Sequence, residues 1–119
     1  MGVEARVKVT IVDGDGKPFM GIGLVWLLER IRRLHSIRKA AADMGMSYAK
    51  AHAIIKRLER GLGRPAVVRR RGGAEKGGAE LTPFAERFLG LYSRFNDGLS
   101  RRAKSEFSAL RRSLGPAAR

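Results

Sequence analysis

Hydrophobic and polar residues alternate strictly between Val3 and Ile11 of this 119-residue chain. A repeat of two predicts a β-strand with one buried face. The turn sequence DGDG follows at 13–16, and residues 17–20 can return as a short second strand. The start of the chain is therefore predicted to be a strand within a β-hairpin.

The hydrophobic repeat then changes to one that is typical of α-helices. Apolar residues from Leu24 onwards share one helix face until about His35, where the first helix is predicted to end. A short second helix is predicted between an N-cap at Ser36 and a stop at Gly45. A third helix is predicted over Tyr48–Leu62, because Gly63 and Pro65 bar its continuation.

The third helix, capped by Ser47, has two distinct faces. At about 100° per residue, the apolar residues of its core face are Ala51, Ile55, Leu58 and Leu62, with Ile54 beside them. The residues of the opposite face are Ala49, Ala53, Lys56 and Arg60, flanked by Lys50, His52 and Arg57. Basic side chains opposite a clean apolar stripe indicate a binding surface.

A second hairpin and a long helix are predicted for the rest of the chain. Strands at 66–69 and 80–81 enclose a glycine-rich basic loop, and Thr82 and Pro83 begin a helix over 83–114. The apolar repeat keeps its phase across the helix-breaking sequence NDG at 96–98, which favours one helix over two. Such a helix spans about 45 Å, more than a small domain can cover. Its distal half is predicted to form a dimer seam with the residues Phe95, Leu99, Phe107, Leu110 and Leu114.

Charge and composition narrow the possible functions. The chain has 25 Lys and Arg against 11 Asp and Glu, a net charge of +14, and residues 30–71 alone carry +11 of it. Such a localised excess predicts a polyanionic partner. With no cysteine, two histidines and no converging carboxylate pair, we expect no catalytic site, metal site or cofactor. The longest apolar run, 19–28, is short of the about 20 residues of a membrane span, so we expect a cytoplasmic protein without membrane contact.

The order of these elements is that of a winged helix-turn-helix, a mainly α fold with a small β component. We expect a DNA-binding domain at 1–82, a dimerisation helix at 83–114 and a tail at 115–119. The third helix would enter the major groove, and the 70–79 loop, as the wing, would contact the minor groove or the backbone. The predicted DNA-binding residues are Ser36, Arg38, Ser47, Tyr48, Ala49, Lys50, His52, Ala53, Lys56, Arg57, Arg60, Arg69, Arg70, Arg71 and Lys76.

The lack of Asn and Gln in the third helix predicts modest base specificity, because these amides are the usual readers of adenine. The leading interpretation is a homodimeric transcriptional regulator that binds double-stranded DNA. The alternative is a nucleoid-associated or RNA-binding protein that is indifferent to sequence. Both interpretations rest on the same positive charge.

The stretch from Gly23 to Tyr92 also resembles a known family. The sequences SIRKAAADMGMSYAKAHAIIKRLE and LTPF, with the RRGG wing between them, resemble the N-terminal DNA-binding domain of the molybdate-responsive regulator ModE and, more distantly, LysR-type winged helices. This resemblance implies a homodimer, a recognition helix that begins at Ser47 and Tyr48, and a wing at about 70–79. Since the chain ends at Arg119, we expect a standalone domain without the family's molybdate-binding domain, and no effector is evident.

Overall fold

A computed structural model of the chain describes residues 2–69 and 78–116. In these residues two short antiparallel hairpins lie among four helices. The elements in chain order are β1 (Ile11–Val12), β2 (Pro18–Met20), α1 (Ile22–Leu34), α2 (Ile37–Asp43), α3 (Tyr48–Leu62), β3 (Val67–Arg69), β4 (Ala79–Leu81) and α4 (Pro83–Leu114). β1 pairs with β2, and β3 pairs with β4. The predicted winged helix-turn-helix with an N-terminal hairpin and a long last helix is confirmed.

The helix ends are fixed by local hydrogen bonds. The hydroxyl oxygens of Ser36, Ser47 and Thr82 each accept the backbone N–H three residues further on, which satisfies a free donor in the first turn. Gly63 ends α3 in the left-handed region with a φ of 72°, a conformation that glycine adopts without steric cost. The predicted caps and the predicted bounds of α3 are therefore confirmed.

The core lies where α1 crosses α2, α3 and the β3–β4 hairpin. Leu27, Leu28, Ile31 and Leu58 are its largest fully buried side chains. Three of the buried residues of α2 and α3 are alanines, Ala40, Ala41 and Ala51, which let the helix backbones approach closely. The predicted core face of α3 is confirmed for Ala51, Ile55 and Leu58, whereas Ile54 and Leu62 are partly buried at its margin.

The strand predicted from Val3 onwards is wrong over most of its length. Only Ile11–Val12 pair with β2, and residues 2–10 form no strand. On the alternating apolar face, Ala5, Val9 and Ile11 are half-buried, whereas Val3 and Val7 are 65% and 41% exposed, so none of these positions is fully buried within this chain. The segment is tied instead through Tyr92, whose hydroxyl donates a hydrogen bond to the Val9 carbonyl oxygen at 3.3 Å, and burial raises the pKa of Tyr92. The alternation of apolar and polar residues indicates a local preference for extended backbone. A strand also needs a neighbouring strand that pairs with its backbone N–H and C=O groups.

The last helix is a single unbroken α4 of 32 residues, so the sequence NDG does not interrupt it. It faces the core through Ala85, Leu89 and Tyr92. None of these three residues belongs to the predicted seam. From Phe95 onwards it projects away from the domain, and the molecule measures 65 × 32 × 23 Å. All five predicted seam residues are exposed or only partly buried.

Candidate nucleic-acid interface

The outer face of α3 is open, polar and basic. Ala49, Lys50, Ala53 and Lys56 are exposed, while Ala51 on the opposite side is fully buried. Two alanines between lysines give a helix surface that can approach another molecule closely and still donate hydrogen bonds to it. A duplex major groove accepts a helix of this kind.

The β3–β4 hairpin is fixed against the start of α2. The backbone N–H of Ala79 donates to the His35 carbonyl oxygen at 2.9 Å, and Ser36 forms a β-bridge with Gly78. His35 itself has a φ of 55°, so its predicted role at the helix end is confirmed. The β3–β4 hairpin, which forms the root of the predicted wing, therefore lies beside the helix-turn-helix.

A side chain that the sequence analysis missed joins the wing root to α3. Glu59 Oε2 accepts the backbone N–H of Ala66 at 2.7 Å and that of Val67 at 3.3 Å. The Glu59 side chain is only 15% exposed, and Lys56 Nζ lies 3.5 Å from its other oxygen. Its position as one of only two acids in a strongly basic stretch was the available signal.

Both carboxylates of residues 30–71 thus already have partners within the domain. The second, Asp43, pairs with Arg30 at 2.7 Å and with Arg33 at 3.6 Å, which joins α2 to α1. Apart from Lys56, which lies 3.5 Å from Glu59, the cations of the outer α3 face have no partner among these two acids. The positive charge of this surface is therefore available to an external anion.

Tyr48 brings together cations from two other elements. The guanidinium carbon Cζ of Arg38, in α2, lies 4.9 Å from the centre of the Tyr48 ring, and that of Arg69, at the end of β3, lies 5.6 Å from it. The His52 ring stacks on Tyr48 with centres 6.0 Å apart. Four predicted site residues from α2, α3 and β3 therefore form one cluster.

Arg57 and Arg60 lie in a different environment. They line a cleft of about 750 Å³ between the C-terminal half of α3 and the β1–β2 hairpin, together with Asp13, Asp15 and Lys17. Asp13 shapes this hairpin, because its carboxylate accepts the backbone N–H groups of Lys17 and Asp15, which lowers its pKa. The sequence predicted that both arginines share one surface with Lys50. In the fold they lie instead beside the turn that contains Asp13 and Asp15.

Ser36 and Ser47, both predicted to bind DNA, use their hydroxyl oxygens as acceptors in helix caps, and each hydroxyl keeps its proton as a donor. Arg70, Arg71 and Lys76 of the predicted wing tip lie outside the described residues.

In 2–69 and 78–116, no three His, Cys, Asp or Glu side chains are grouped so that they could bind a metal. No helix in the same ranges has the length and apolarity to cross a membrane.

A helix-turn-helix followed by a two-stranded wing defines the winged helix-turn-helix class. The profile of the bacterial regulatory helix-turn-helix proteins of the lysR family matches residues 24–86, more than half of the chain. The chain belongs to this family.

Curated relatives share the same region. The molybdenum-pterin-binding protein MopB of Rhodobacter capsulatus is 35% identical over 82 residues, which cover 69% of this chain and 30% of that protein. The transcriptional regulator ModE of Haemophilus influenzae is 38% identical over 68 residues, or 57% of this chain and 27% of that one. The chain thus spans less than a third of the length of these relatives.

A solved structure supports the fold. The DNA-binding domain of CbnR, in a complex with DNA, superposes with a TM-score of 0.57 at 20% identity, covering 76% of this chain and 99% of that one. At this identity the likeness concerns the fold alone.

Proposed function

We propose that the chain binds double-stranded DNA as a homodimer and regulates transcription, acting on the nucleoid in the cytoplasm. The observation that carries this proposal is the open α3 face with Lys50 and Lys56, set beside the β3–β4 hairpin with Arg69. Of the two carboxylates in residues 30–71, Asp43 pairs with Arg30 of α1, and Glu59 accepts the backbone N–H of Ala66 and lies 3.5 Å from Lys56 Nζ. The lysR family profile and ModE of Haemophilus influenzae, which is named as a transcriptional regulator, support it.

Binding to duplex DNA through this surface should depend steeply on salt. Six to ten phosphate contacts would reduce the affinity by roughly 10³ to 10⁵ between 50 and 200 mM salt, because each contact releases condensed counterions. Fluorescence anisotropy with a labelled genomic fragment measures this dependence. A flat salt profile would contradict the proposal.

Single substitutions test the docking surface. We expect Lys50→Ala and Lys56→Ala, on α3, and Arg71→Ala, in the predicted wing, to weaken binding without changing the circular dichroism spectrum. Lys104→Ala is the matched control, because Lys104 is an exposed cation on the distal half of α4. Equal losses in all four variants would indicate general charge attraction and not a docked helix.

Competition separates a regulator from a protein that is indifferent to sequence. A regulator should select fragments with two half-sites about 34 Å apart, or a multiple of that distance, and bind them at least about 10³-fold more tightly than random duplex. Equal competition by random duplex or by structured RNA would favour the alternative.

The partner of the distal α4 is proposed to be a second copy of this chain. Phe95, Leu110 and Leu114 are 50%, 51% and 75% exposed. They belong to a series whose steps of three or four residues are those of a buried face, namely Phe95, Leu99, Ala103, Phe107, Leu110 and Leu114. A dimer would also supply the two copies of α3 that an operator with paired half-sites requires.

A further inference from the structure

The cluster around Tyr48 combines two positive charges, and within 2–69 and 78–116 neither has a neutralising partner. Arg38 and Arg69 are both exposed, and in the part of the chain that the structure describes no carboxylate lies within 4.0 Å of either guanidinium. Because both lie over one ring, they are roughly within one Debye length of each other, about 10 Å at 0.1 M salt. Two like charges held this close favour an anion between or beside them.

The ring accounts for the placement of both side chains. A guanidinium over an aromatic face is attracted by the negative face of the ring, and its edge N–H groups stay free to donate to an external oxygen. Arg38 and Arg69 are otherwise long, flexible side chains on separate elements. Contact with Tyr48 reduces the rotamer freedom that each would lose on binding a ligand.

The wing root fixes the geometry of this cluster. The Ala79 to His35 hydrogen bond and the Ser36–Gly78 bridge hold β4 against the α1–α2 turn, and β3 pairs with β4 up to Arg69. Arg69 therefore reaches Tyr48 through the β3–β4 hairpin, and Arg38 reaches it through α2.

We infer that Tyr48 is a positioning residue, whose ring holds Arg38 and Arg69 together as a binding site for the phosphodiester backbone of the bound nucleic acid. The inference rests on the proposed function and deepens it. The Tyr48 hydroxyl takes no part in this role, although a tyrosine at the start of a recognition helix can also read a base with its hydroxyl. Removal of the hydroxyl distinguishes the two roles, because it would abolish base reading but leave the ring that positions the arginines.

The test compares the salt dependence of duplex binding for the natural chain, Tyr48→Phe, Tyr48→Leu, Arg38→Ala/Arg69→Ala and the triple variant. Each lost phosphate contact lowers the log–log salt slope by about 0.9, which is about a five-fold loss of affinity at 0.15 M salt. We expect less than a two-fold effect for Tyr48→Phe, and a reduced slope for Tyr48→Leu. We also expect Tyr48→Leu to have little further effect in the double arginine variant.

Other results would overturn the inference. Equal losses for Tyr48→Phe and Tyr48→Leu would assign the role to the hydroxyl. An unchanged slope for Tyr48→Leu, or a loss that adds fully to that of the arginine variant, would leave the ring a packing role only. A natural chain that shows no salt-dependent duplex binding would instead refute the proposed function itself, before any variant is compared.

A second pair of variants keeps Tyr48 in place, in case Tyr48→Leu does not fold. Arg38→Lys and Arg69→Lys retain the charge but lose the planar group that stacks on the ring. We expect each to reduce the salt slope despite the retained charge. Full retention of the slope by both lysine variants would show that stacking is unnecessary.

Discussion

The ring of Phe19 lies so close to Gly61 that a Cβ on Gly61 would stand 2.5 Å from Cδ2 of the ring and 2.7 Å from Cγ. Phe19 belongs to β2 and Gly61 to the last turn of α3, so this contact packs the N-terminal hairpin against α3. The cleft lined by Arg57 and Arg60 exists because the hairpin is held there.

We expect Gly61→Ala to destabilise the protein, although alanine is the better helix former. The whole Phe19 ring would have to move, at a cost of about 1–3 kcal/mol. Gly90→Ala is the control, since Gly90 lies inside α4 with no atom within 4 Å of its ideal Cβ, and the change should stabilise by about 0.5–1 kcal/mol. Urea unfolding at one fixed protein concentration measures both, and equal gains would contradict the contact.

Glu59 should be needed for the junction of α3 and the wing. Glu59→Ala leaves the N–H of the buried Ala66 without an acceptor, at a cost of about 1–3 kcal/mol in the free energy of unfolding. Glu59→Gln keeps one acceptor oxygen and should retain more than half of that stability. Thermal unfolding followed by circular dichroism compares them, and identical midpoints for the two variants would argue against this bond.

Thr82 should stabilise the start of α4 with both of its hydrogen-bonding functions. Its hydroxyl oxygen accepts the N–H of Ala85 at 3.1 Å, and its proton is donated to the Pro65 carbonyl oxygen at 2.9 Å. Thr82→Val keeps the shape but loses both bonds, which should cost about 1–2 kcal/mol, whereas Thr82→Ser should cost well under half of that. Chemical unfolding distinguishes them, and a Val variant as stable as the Ser variant would refute this role.

The proposed seam along α4 should fail when a charge enters it. We expect Leu110→Arg to convert a dimer to a monomer at micromolar concentration, because the buried charge would have no partner. Ser108→Arg introduces the same side chain about 160° away around the helix at 100° per residue and should leave the dimer intact. Light scattering reports the mass, and a natural chain that is already monomeric would rule out the seam.

Sequence reasoning predicted the helices well because their signals are local. The serine and threonine caps and the left-handed Gly63 all act within a few residues of the helix end that they define. The alternation from Val3 to Ile11 is equally local, yet it predicted too long a strand. A strand needs a neighbour, and β2 reaches only Ile11–Val12.

Parts of the site could not be predicted because they join residues from distant elements. Arg38 and Arg69 meet at Tyr48 only because the hairpin folds back onto the α1–α2 turn. In the sequence, nothing distinguishes Glu59 as an acceptor for backbone N–H groups. Its carboxylate accepts those of Ala66 and Val67 because the chain passes beside α3 after Pro65.

The sequence by itself determined the positive charge, the bounds of α3 and α4, and the separation of a basic face from an apolar one, since periodicity and capping are properties of the local chain. The tertiary structure alone decided which cations remain open to a ligand. That choice depends on which carboxylates and rings the packing brings close to each cation. Here Asp43 pairs with Arg30, Glu59 binds the backbone of Ala66, and Arg38 and Arg69 lie over the ring of Tyr48.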